Sequence, residues 1–210
     1  RDNVFDNVCH EHIEYYSLLA LENLLRRNGL EVCDVELNDV NGGSFRIYIR
    51  HIGKGRKLKL KDGAAKRVES MREEELMLGL GDRSVYEKFA NRVEDIRRRT
   101  VDFIKSEVAA GKKIYAYGAS TKGNTLLQYY GLDSSLITAA AERNPSKWGL
   151  VTVGTNIPII SEDEARAAKP DYFLVLPWAF MSEFISREKN FLEAGGKFIQ
   201  PLPDMKIIGN

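Results

Sequence analysis

Tyr117-Gly-Ala-Ser-Thr-Lys-Gly-Asn-Thr125 is a glycine-rich turn that lies between an apolar run and a helical pattern. Residues 114–117 predict a short buried strand, and residues 124–130 predict a helix that ends at Gly131. A strand, a turn and a helix in this order bring backbone N–H groups and the positive end of a helix dipole to one place. The stretch therefore predicts an anion site, and its candidate residues are Gly118, Ser120, Thr121, Lys122, Gly123, Asn124 and Thr125.

Strands and helices alternate through the second half of the chain. Further strands are predicted at 136–141, 157–160, 172–176 and 197–200, with helices from 161, where Ser161-Glu-Asp-Glu164 has capping-box chemistry, and over 181–194. This alternation predicts an α/β fold, a Rossmann-like, doubly wound, mostly parallel sheet with helices on both faces. Such sheets bind ligands outside the carboxyl ends of their strands, which adds Glu142, Asn144 and Trp178 as candidate substrate-binding residues, with Lys147 and Pro177 also at the rim.

The residues of the turn leave its ligand open. A P-loop has a lysine after its second glycine, where this chain has Asn124, and the Gly-x-Gly-x-x-Gly fingerprint is absent, which disfavours a nicotinamide-dependent oxidoreductase. One interpretation is a diphosphate held without magnesium, and the other is a tight turn with a solvated lysine. Glu142 lies where such folds place a carboxylate for a sugar hydroxyl. Trp178 either stacks on a base or is a buried aromatic residue.

The first half of the chain lacks this alternation of strands and helices. Residues 16–30 predict a helix with Ser17 as N-cap, and two alternating segments around the turn at 41–43 predict an antiparallel hairpin. A basic connector over 53–62 precedes two predicted helices, 64–80 and 84–110. The second carries an apolar stripe of Val85, Phe89, Val93, Ile96, Val101, Ile104 and Val108. We therefore expect three parts: a helix and hairpin over 1–52, a helical linker over 53–110, and the Rossmann-like domain over 111–210.

Composition and charge exclude several classes of binding partner and cellular setting. The formal net charge of +1 creates no global attraction to nucleic acid or to an anionic membrane, so we expect neither as a partner. No apolar run reaches the roughly 18 residues of a membrane span. Cys9 and Cys33 match no zinc spacing and no disulfide framework, which favours a reducing, cytoplasmic setting. The chain begins at Arg1 without a methionine, and we expect it to be a piece of a longer polypeptide.

A second polar cluster, Cys9-His-Glu-His12, stands near the start of the chain. Two histidines around a glutamate provide a base near neutral pH and a carboxylate to tune it. The His-Glu-x-x-His pattern is absent and no cysteine pair completes a metal site, so no metal is predicted. The alternative is a structural cluster that ties this loop to its neighbours.

Three ordered motifs resemble a known family. Phe5-Asp-x-x-x-His-Glu-His-x-x-Tyr-Tyr-Ser17, Gly42-Gly-Ser-x-Arg-x-Tyr48 and the turn from Tyr117 to Thr125 resemble the sugar C-methyltransferases of deoxysugar biosynthesis. The resemblance implies a zinc-binding N-terminal module, a central S-adenosylmethionine (SAM) domain and a C-terminal α/β domain. The 210 residues would then be the back half of such an enzyme, without the zinc module and without the glycine-rich SAM loop. Residues 1–52 would end the methyltransferase sheet, and their exposed hairpin would allow an oligomer.

The resemblance also implies a substrate and roles. The substrate would be a nucleotide-linked 4-keto-deoxysugar, methylated on the carbon next to the ketone. His12 would be the base, supported by Glu11 and His10, with Tyr16 near the sugar. The family often has tyrosine where this chain has Cys9, so a phenol that would bond the keto oxygen is missing. We expect the 210 residues alone to be inactive; the alternative is a nucleotide or nucleotide-sugar binding module without catalysis.

Overall fold

The computed structural model describes residues 3–38, 43–53 and 59–209. The chain forms two compact units, one made of Arg1–Ile13 with Ala90–Asn210 and the other of Glu14–Phe89. The predicted assignment of residues 1–52 to a methyltransferase domain concerns a longer enzyme and stays a prediction.

The smaller unit contains one helix, a hairpin and a second helix. Helix α1 (Leu18–Arg27) begins at Ser17, whose side chain accepts a hydrogen bond from the Ala20 N–H, as predicted. Strands β1 (Leu30–Asn38) and β2 (Ser44–His51) pair antiparallel, which confirms the two strands of the hairpin. Helix α2 (Ala64–Leu78) follows. Residues 39 and 40 of the first predicted strand, 41 and 42 of the predicted turn, and 54–58 of the predicted connector lie outside the described residues.

A buried carboxylate ties the two helices of this unit together. Glu75 of α2 accepts hydrogen bonds from the backbone N–H groups of Leu18, at 2.6 Å, and Leu19, at 2.8 Å. These N–H groups have no partner within α1 because they belong to its first turn, where a negative charge also meets the helix dipole favourably. Leu18 then packs with Val35 and Val68 in the core of the unit.

Helix α3 (Arg83–Ala109) carries the predicted apolar stripe, and the division between the units falls within it. Its buried residues are Val93, Ile96, Thr100, Val101 and Ile104. Four of them belong to the predicted stripe, and Thr100 is accommodated because its hydroxyl donates to the Ile96 carbonyl at 2.8 Å.

The larger unit is built on a six-stranded sheet with the order β5-β4-β3-β6-β7-β8. Its strands are β3 (Ile114–Tyr117), β4 (Ala140–Glu142), β5 (Ile159–Ser161), β6 (Tyr172–Val175), β7 (Lys197–Gln200) and β8 (Lys206–Ile208). All neighbours are parallel except β7 and β8. Counted within this unit, the order is 3-2-1-4-5-6, which is the Rossmann order and confirms the predicted fold class.

Four helices connect these strands: α4 (Thr121–Tyr130), α5 (Glu162–Ala167), α6 (Met181–Arg187) and α7 (Lys189–Glu193). The capping box is confirmed, because the side chains of Ser161 and Glu164 each bond the other residue's backbone N–H. The single helix predicted over 181–194 is wrong: it is interrupted at Glu188, whose side chain is buried.

Three further details differ from the sequence prediction. Helix α4 begins at Thr121, three residues before the predicted start, because Ser120 caps it. The second predicted strand is shorter, since only Ala140–Glu142 pairs with a neighbour as a strand. The antiparallel edge strand β8 was not predicted, since it is a short segment whose pairing with β7 is visible only in the fold.

Candidate functional site

The sheet has its topological switch point between β3 and β6, where ligands bind in open α/β folds. The chain leaves β3 through Gly118, whose φ of +88° favours glycine. A Cβ added at Gly118 would lie 2.8 Å from Pro177 Cγ, so the turn after β3 rests directly on the residues after β6. Glycine is therefore required here both for conformation and for close approach.

Helix α4 opens next to this turn. Ser120 is its N-cap and accepts a hydrogen bond from the Gly123 N–H at 3.1 Å. Among the described residues, no acceptor bonds the N–H groups of Ser120, Thr121 or Lys122, which point out of the first turn. A Cβ at Gly123 would lie 2.9 Å from Leu176 Cδ1. The first glycine thus makes the turn, and the second allows the helix to pack against the chain that follows β6.

A cleft of about 360 Å³ lies at the switch point. Five predicted residues line it: Gly118, Ser120, Glu142, Lys147 and Pro177. The other predicted residues of this region do not: Thr121, Lys122, Gly123, Asn124, Thr125, Asn144 and Trp178. The remaining lining residues are Tyr117, Ala119, Arg143, Glu162, Phe180, Glu183, Phe184 and Arg187.

Glu142 joins the loops that follow β3 and β4. Its carboxylate accepts hydrogen bonds from the Ala119 N–H at 2.9 Å and the Asn144 N–H at 3.0 Å, and Lys147 Nζ lies 3.5 Å away. Burial pushes the pKa of Glu142 up, but these N–H groups and the Lys147 charge outweigh burial and hold it below its usual value. The group is therefore ionised at neutral pH. A carboxylate with about four acceptor sites can still accept a bond from a ligand hydroxyl.

Of the predicted residues that do not line the cleft, Asn144 and Trp178 form other hydrogen bonds, whereas the Asn124 side-chain oxygen is unpaired in the described part of the chain. Asn144 Oδ1 accepts from the Ser146 N–H at 3.1 Å and so begins a short 3-10 turn. The Trp178 indole N–H donates to Asp6 at 2.9 Å. The Asn124 Oδ1 atom is buried and has no hydrogen-bond partner within the described residues.

The predicted base lies on a loop of the same unit. His10, Glu11 and His12 are exposed, with His10 Nε2 3.7 Å from Glu11. His12 Nδ1 lies 2.8 Å from the Asn7 carbonyl oxygen. Because a carbonyl only accepts, the neutral imidazole carries its proton on Nδ1, which leaves the lone pair of Nε2 available to take a proton. This tautomer is assigned from the hydrogen bond.

Of the two other residues assigned to this site, Cys9 lies beside the imidazole and Tyr16 lies in the other unit. Cys9 Sγ is 3.7 Å from His12 Nδ1, so the side chain that replaces the family tyrosine lies beside the imidazole. Tyr16 belongs to the smaller unit, where its exposed hydroxyl donates to Glu14. Among the described residues, no group of three or more His, Cys, Asp or Glu is arranged to hold a metal ion. No described helix has both the length and the apolar character needed to cross a membrane.

Residues 39–203 match the model of a family described as the C-methyltransferase C-terminal domain. The chain belongs to this C-methyltransferase family. It is also similar to C-methyltransferase NovU of Streptomyces niveus, with 36% identity over 208 residues, 99% of this chain and 48% of NovU. The chain spans about half the length of this relative. The resemblance to C-methyltransferases is confirmed.

A buried network adjoins the cleft in this C-methyltransferase domain through Tyr117, Glu162 and Arg187, which line it. Glu188, 3% exposed, accepts from the Tyr117 hydroxyl at 2.7 Å and from Arg166 at 2.6 and 3.0 Å. Burial raises the pKa of Glu188, but the hydrogen bonds from Arg166 and Tyr117 outweigh burial and leave it lowered. Arg187 donates to Tyr117 and Glu162. Burial also raises the pKa of Tyr117. Because these charged side chains pair with one another, they fix the position of the cleft wall and leave little unpaired charge in it for a ligand.

Two residues of the cleft that the sequence analysis did not predict could bind a ligand. The exposed Arg143 has no hydrogen-bond or ion-pair partner within the described residues. It directly follows Glu142, so the rule of the strand ends would have found it. Phe180 is 58% exposed and also lines the cleft. Its signal is its position three residues after Pro177, in the segment that follows β6.

Proposed function

We propose that this chain is the C-terminal part of a SAM-dependent C-methyltransferase that acts on a nucleotide-linked 4-keto-deoxysugar. The observation that carries the proposal is the cleft at the switch point of a Rossmann-order sheet in a member of the C-methyltransferase family. Such a position suits a nucleotide. We expect the cleft to hold the nucleotide end of the substrate, while the sugar is worked on at the His12 loop.

The diphosphate would lie between the start of α4 and Arg143. The open N–H groups of Ser120, Thr121 and Lys122 offer donors at the positive end of a helix. A guanidinium without a carboxylate partner matches a phosphate with two parallel hydrogen bonds. Lys122, a half-buried residue that also has no partner among the described residues, adds positive charge next to this site.

The nucleoside has an aromatic neighbour in the cleft. Phe180 presents an exposed ring to it. The Trp178 indole instead donates to Asp6 and does not line the cleft. We therefore assign base stacking to Phe180, and a hydroxyl of the sugar or ribose to Glu142.

His12 would begin the reaction by removing the proton next to the ketone. The Asn7 carbonyl holds the Nδ1 proton, so Nε2 receives the substrate proton and the electron pair of the C–H bond passes to the enolate. Glu11 and His10 would support the resulting imidazolium, and Tyr16 would contact the sugar. SAM would supply the methyl group. The resemblance implies a glycine-rich SAM loop and a zinc module that the 210 residues do not contain, so both sites would belong to other parts of the enzyme.

Deuterium exchange tests the base. In the full-length enzyme, His12→Asn is expected to abolish exchange of the proton next to the substrate ketone, because amide nitrogen cannot take a proton. His51→Asn is the matched control, since His51 is an exposed histidine of β2. Unchanged exchange in His12→Asn removes His12 as the base. Nucleotide binding without any exchange in the wild-type enzyme favours the alternative, a binding module without catalysis.

Calorimetry tests the cleft in the 210-residue protein. Arg143→Ala is expected to weaken binding of a nucleoside diphosphate about tenfold, through loss of about 1.5 kcal/mol from charge-assisted hydrogen bonds. Lys105→Ala removes one exposed positive charge from α3 as a control. Equal weakening by both variants would point to general electrostatics and contradict the assigned site.

The isolated chain provides a second test. We expect no methyl transfer from SAM to any nucleotide sugar by the purified 210 residues. Methyl transfer by this chain would overturn the assignment of the SAM site to other parts of the enzyme.

A further inference from the structure

One buried carboxylate near the start of the chain is not used by the chemistry proposed above. Asp6 is 2% exposed, although Val8 and residues 10–13 that follow it are exposed. Its Oδ2 atom accepts from the Trp178 indole N–H at 2.9 Å, and its Oδ1 atom is buried without a partner among the described residues. Burial of a carboxylate with a single neutral donor is costly. A feature this costly calls for an explanation beyond packing.

Trp178 connects this carboxylate to the nucleotide cleft. It directly follows Pro177, which lines the cleft and lies against Gly118 at the end of β3. The backbone of this segment is held to the sheet by the hydrogen bond from the Leu176 N–H to the Tyr117 carbonyl at 3.1 Å. Asp6 is thus attached to the same chain segment that forms one wall of the cleft.

Asp6 also connects directly to the proposed base. The next residue is Asn7, whose carbonyl accepts from His12 Nδ1 at 2.8 Å. The loop between them is closed by hydrogen bonds from the Val8 N–H to the Phe5 carbonyl and from the His12 N–H to the Cys9 carbonyl. A shift of Asp6 therefore moves the carbonyl that sets the orientation and the tautomer of the imidazole.

We infer that Asp6 and Trp178 are a positioning pair that fixes the orientation of the His12 imidazole relative to the nucleotide cleft. This inference rests on the proposed function, in which His12 is the base and the cleft holds the nucleotide. The indole hydrogen bond fixes Asp6, Asp6 fixes the Asn7 carbonyl, and that carbonyl keeps the proton on Nδ1. Neither side chain of the pair touches the substrate.

The first test reads the imidazole itself, by ¹⁵N NMR of histidine in the 210-residue protein. Wild-type His12 is expected as the Nδ1–H tautomer at a pH where imidazole is neutral. Trp178→Phe keeps an aromatic ring but removes the donor, so the His12 signal is expected to change to a mixture of both tautomers, with His51 unchanged. Asp6→Asn alone, with Trp178 intact, keeps an acceptor for the indole and is expected to show the wild-type signal. An unchanged His12 signal in Trp178→Phe overturns the inference.

A paired substitution separates positioning from folding. The double variant Asp6→Leu with Trp178→Phe removes both polar partners, so no buried carboxylate is left without a donor and folding is expected to be preserved. It still lacks the directional bond, and His12 is expected to show mixed tautomers. Asn3→Ala is the control, because Asn3 anchors the same segment to Pro203 by a separate hydrogen bond. If the double variant folds and keeps the Nδ1–H tautomer, the pair serves packing alone and the inference is wrong.

Kinetics of the full-length enzyme complete the test. Trp178→Phe and the double variant are expected to lower kcat about 10- to 100-fold, with KM changed by no more than about twofold, since the base is misplaced while the cleft remains. An unchanged kcat contradicts the inference. Unchanged proton exchange in His12→Asn would instead remove His12 as the base. The tautomer measurement would then still decide whether the pair orients the ring.

Discussion

Replacement of Gly118 by alanine tests the geometry of the switch point with a single methyl group. The residue has a φ of +88°, and an alanine Cβ would lie 2.8 and 3.0 Å from Pro177 Cγ and Cδ. The left-handed backbone costs a side chain about 1–2 kcal/mol. Overpacking against a ring that is tied into the chain after β6 costs about 1–3 kcal/mol more. We expect Gly118→Ala to lower the free energy of unfolding by about 2–5 kcal/mol.

Urea unfolding followed by tryptophan fluorescence measures this loss. Trp148 and Trp178 are the only tryptophans of the chain and both lie in the larger unit, so the signal reports on the unit that contains the substitution. Gly131→Ala is the matched control: Gly131 has a φ of +67°, but no described atom would lie within 4 Å of its Cβ. The control should lose about 1–2 kcal/mol from backbone strain alone. Equal losses in the two variants would refute the close approach of Gly118 to Pro177.

Two further substitutions test the network and the capping of the same unit. Glu188→Gln is expected to cost about 1–3 kcal/mol, because the hydrogen bonds from Arg166 lose their charged acceptor. The pKa of Glu188 is lower in the folded state than its unfolded value of about 4.3, so the ionised carboxylate stabilises the fold above that pH, and this stabilisation is lost as pH falls through the folded pKa. Below about pH 4, the free energy of unfolding measured in urea should therefore decline less steeply in the variant than in wild type. Parallel declines would contradict this. Ser161→Ala is expected to cost about 1 kcal/mol through loss of the α5 cap, with the exposed Ser182→Ala as control, and a thermal unfolding midpoint equal to that of the control would exclude the capping role.

Local patterns predicted most of the elements of this chain. The alternation of strands and helices after residue 111 predicted the Rossmann-like sheet because periodicity and turn residues act over a few neighbouring positions. The N-caps at Ser17 and Ser161 were predicted for the same reason. The break at Glu188 was not, because its cause is a buried carboxylate whose partners are Tyr117 and Arg166, more than twenty residues away in the chain.

For the candidate site too, the sequence predicted the residues at strand ends but not which side chains face the cleft. Sequence reasoning placed Gly118, Ser120 and Glu142 at the strand ends, and all three line the cleft. It also grouped Lys122 and Trp178 with them, because it could not tell which side chains of a helix or loop face the cleft. The lining residues Phe180 and Arg187 come from segments whose approach to β3 depends on the folded sheet.

The sequence by itself determined the class of fold, the glycine turn and the family, since these depend on residue types and spacings within short stretches. Only the tertiary structure decided what the turn at Tyr117 to Thr125 does. Its second glycine allows helix packing against Leu176, and its first meets Pro177 in a cleft with Arg143. Only the fold also paired Asp6 with Trp178, 172 residues apart. Contacts of this range follow from the order of strands in the sheet, which no local pattern specifies.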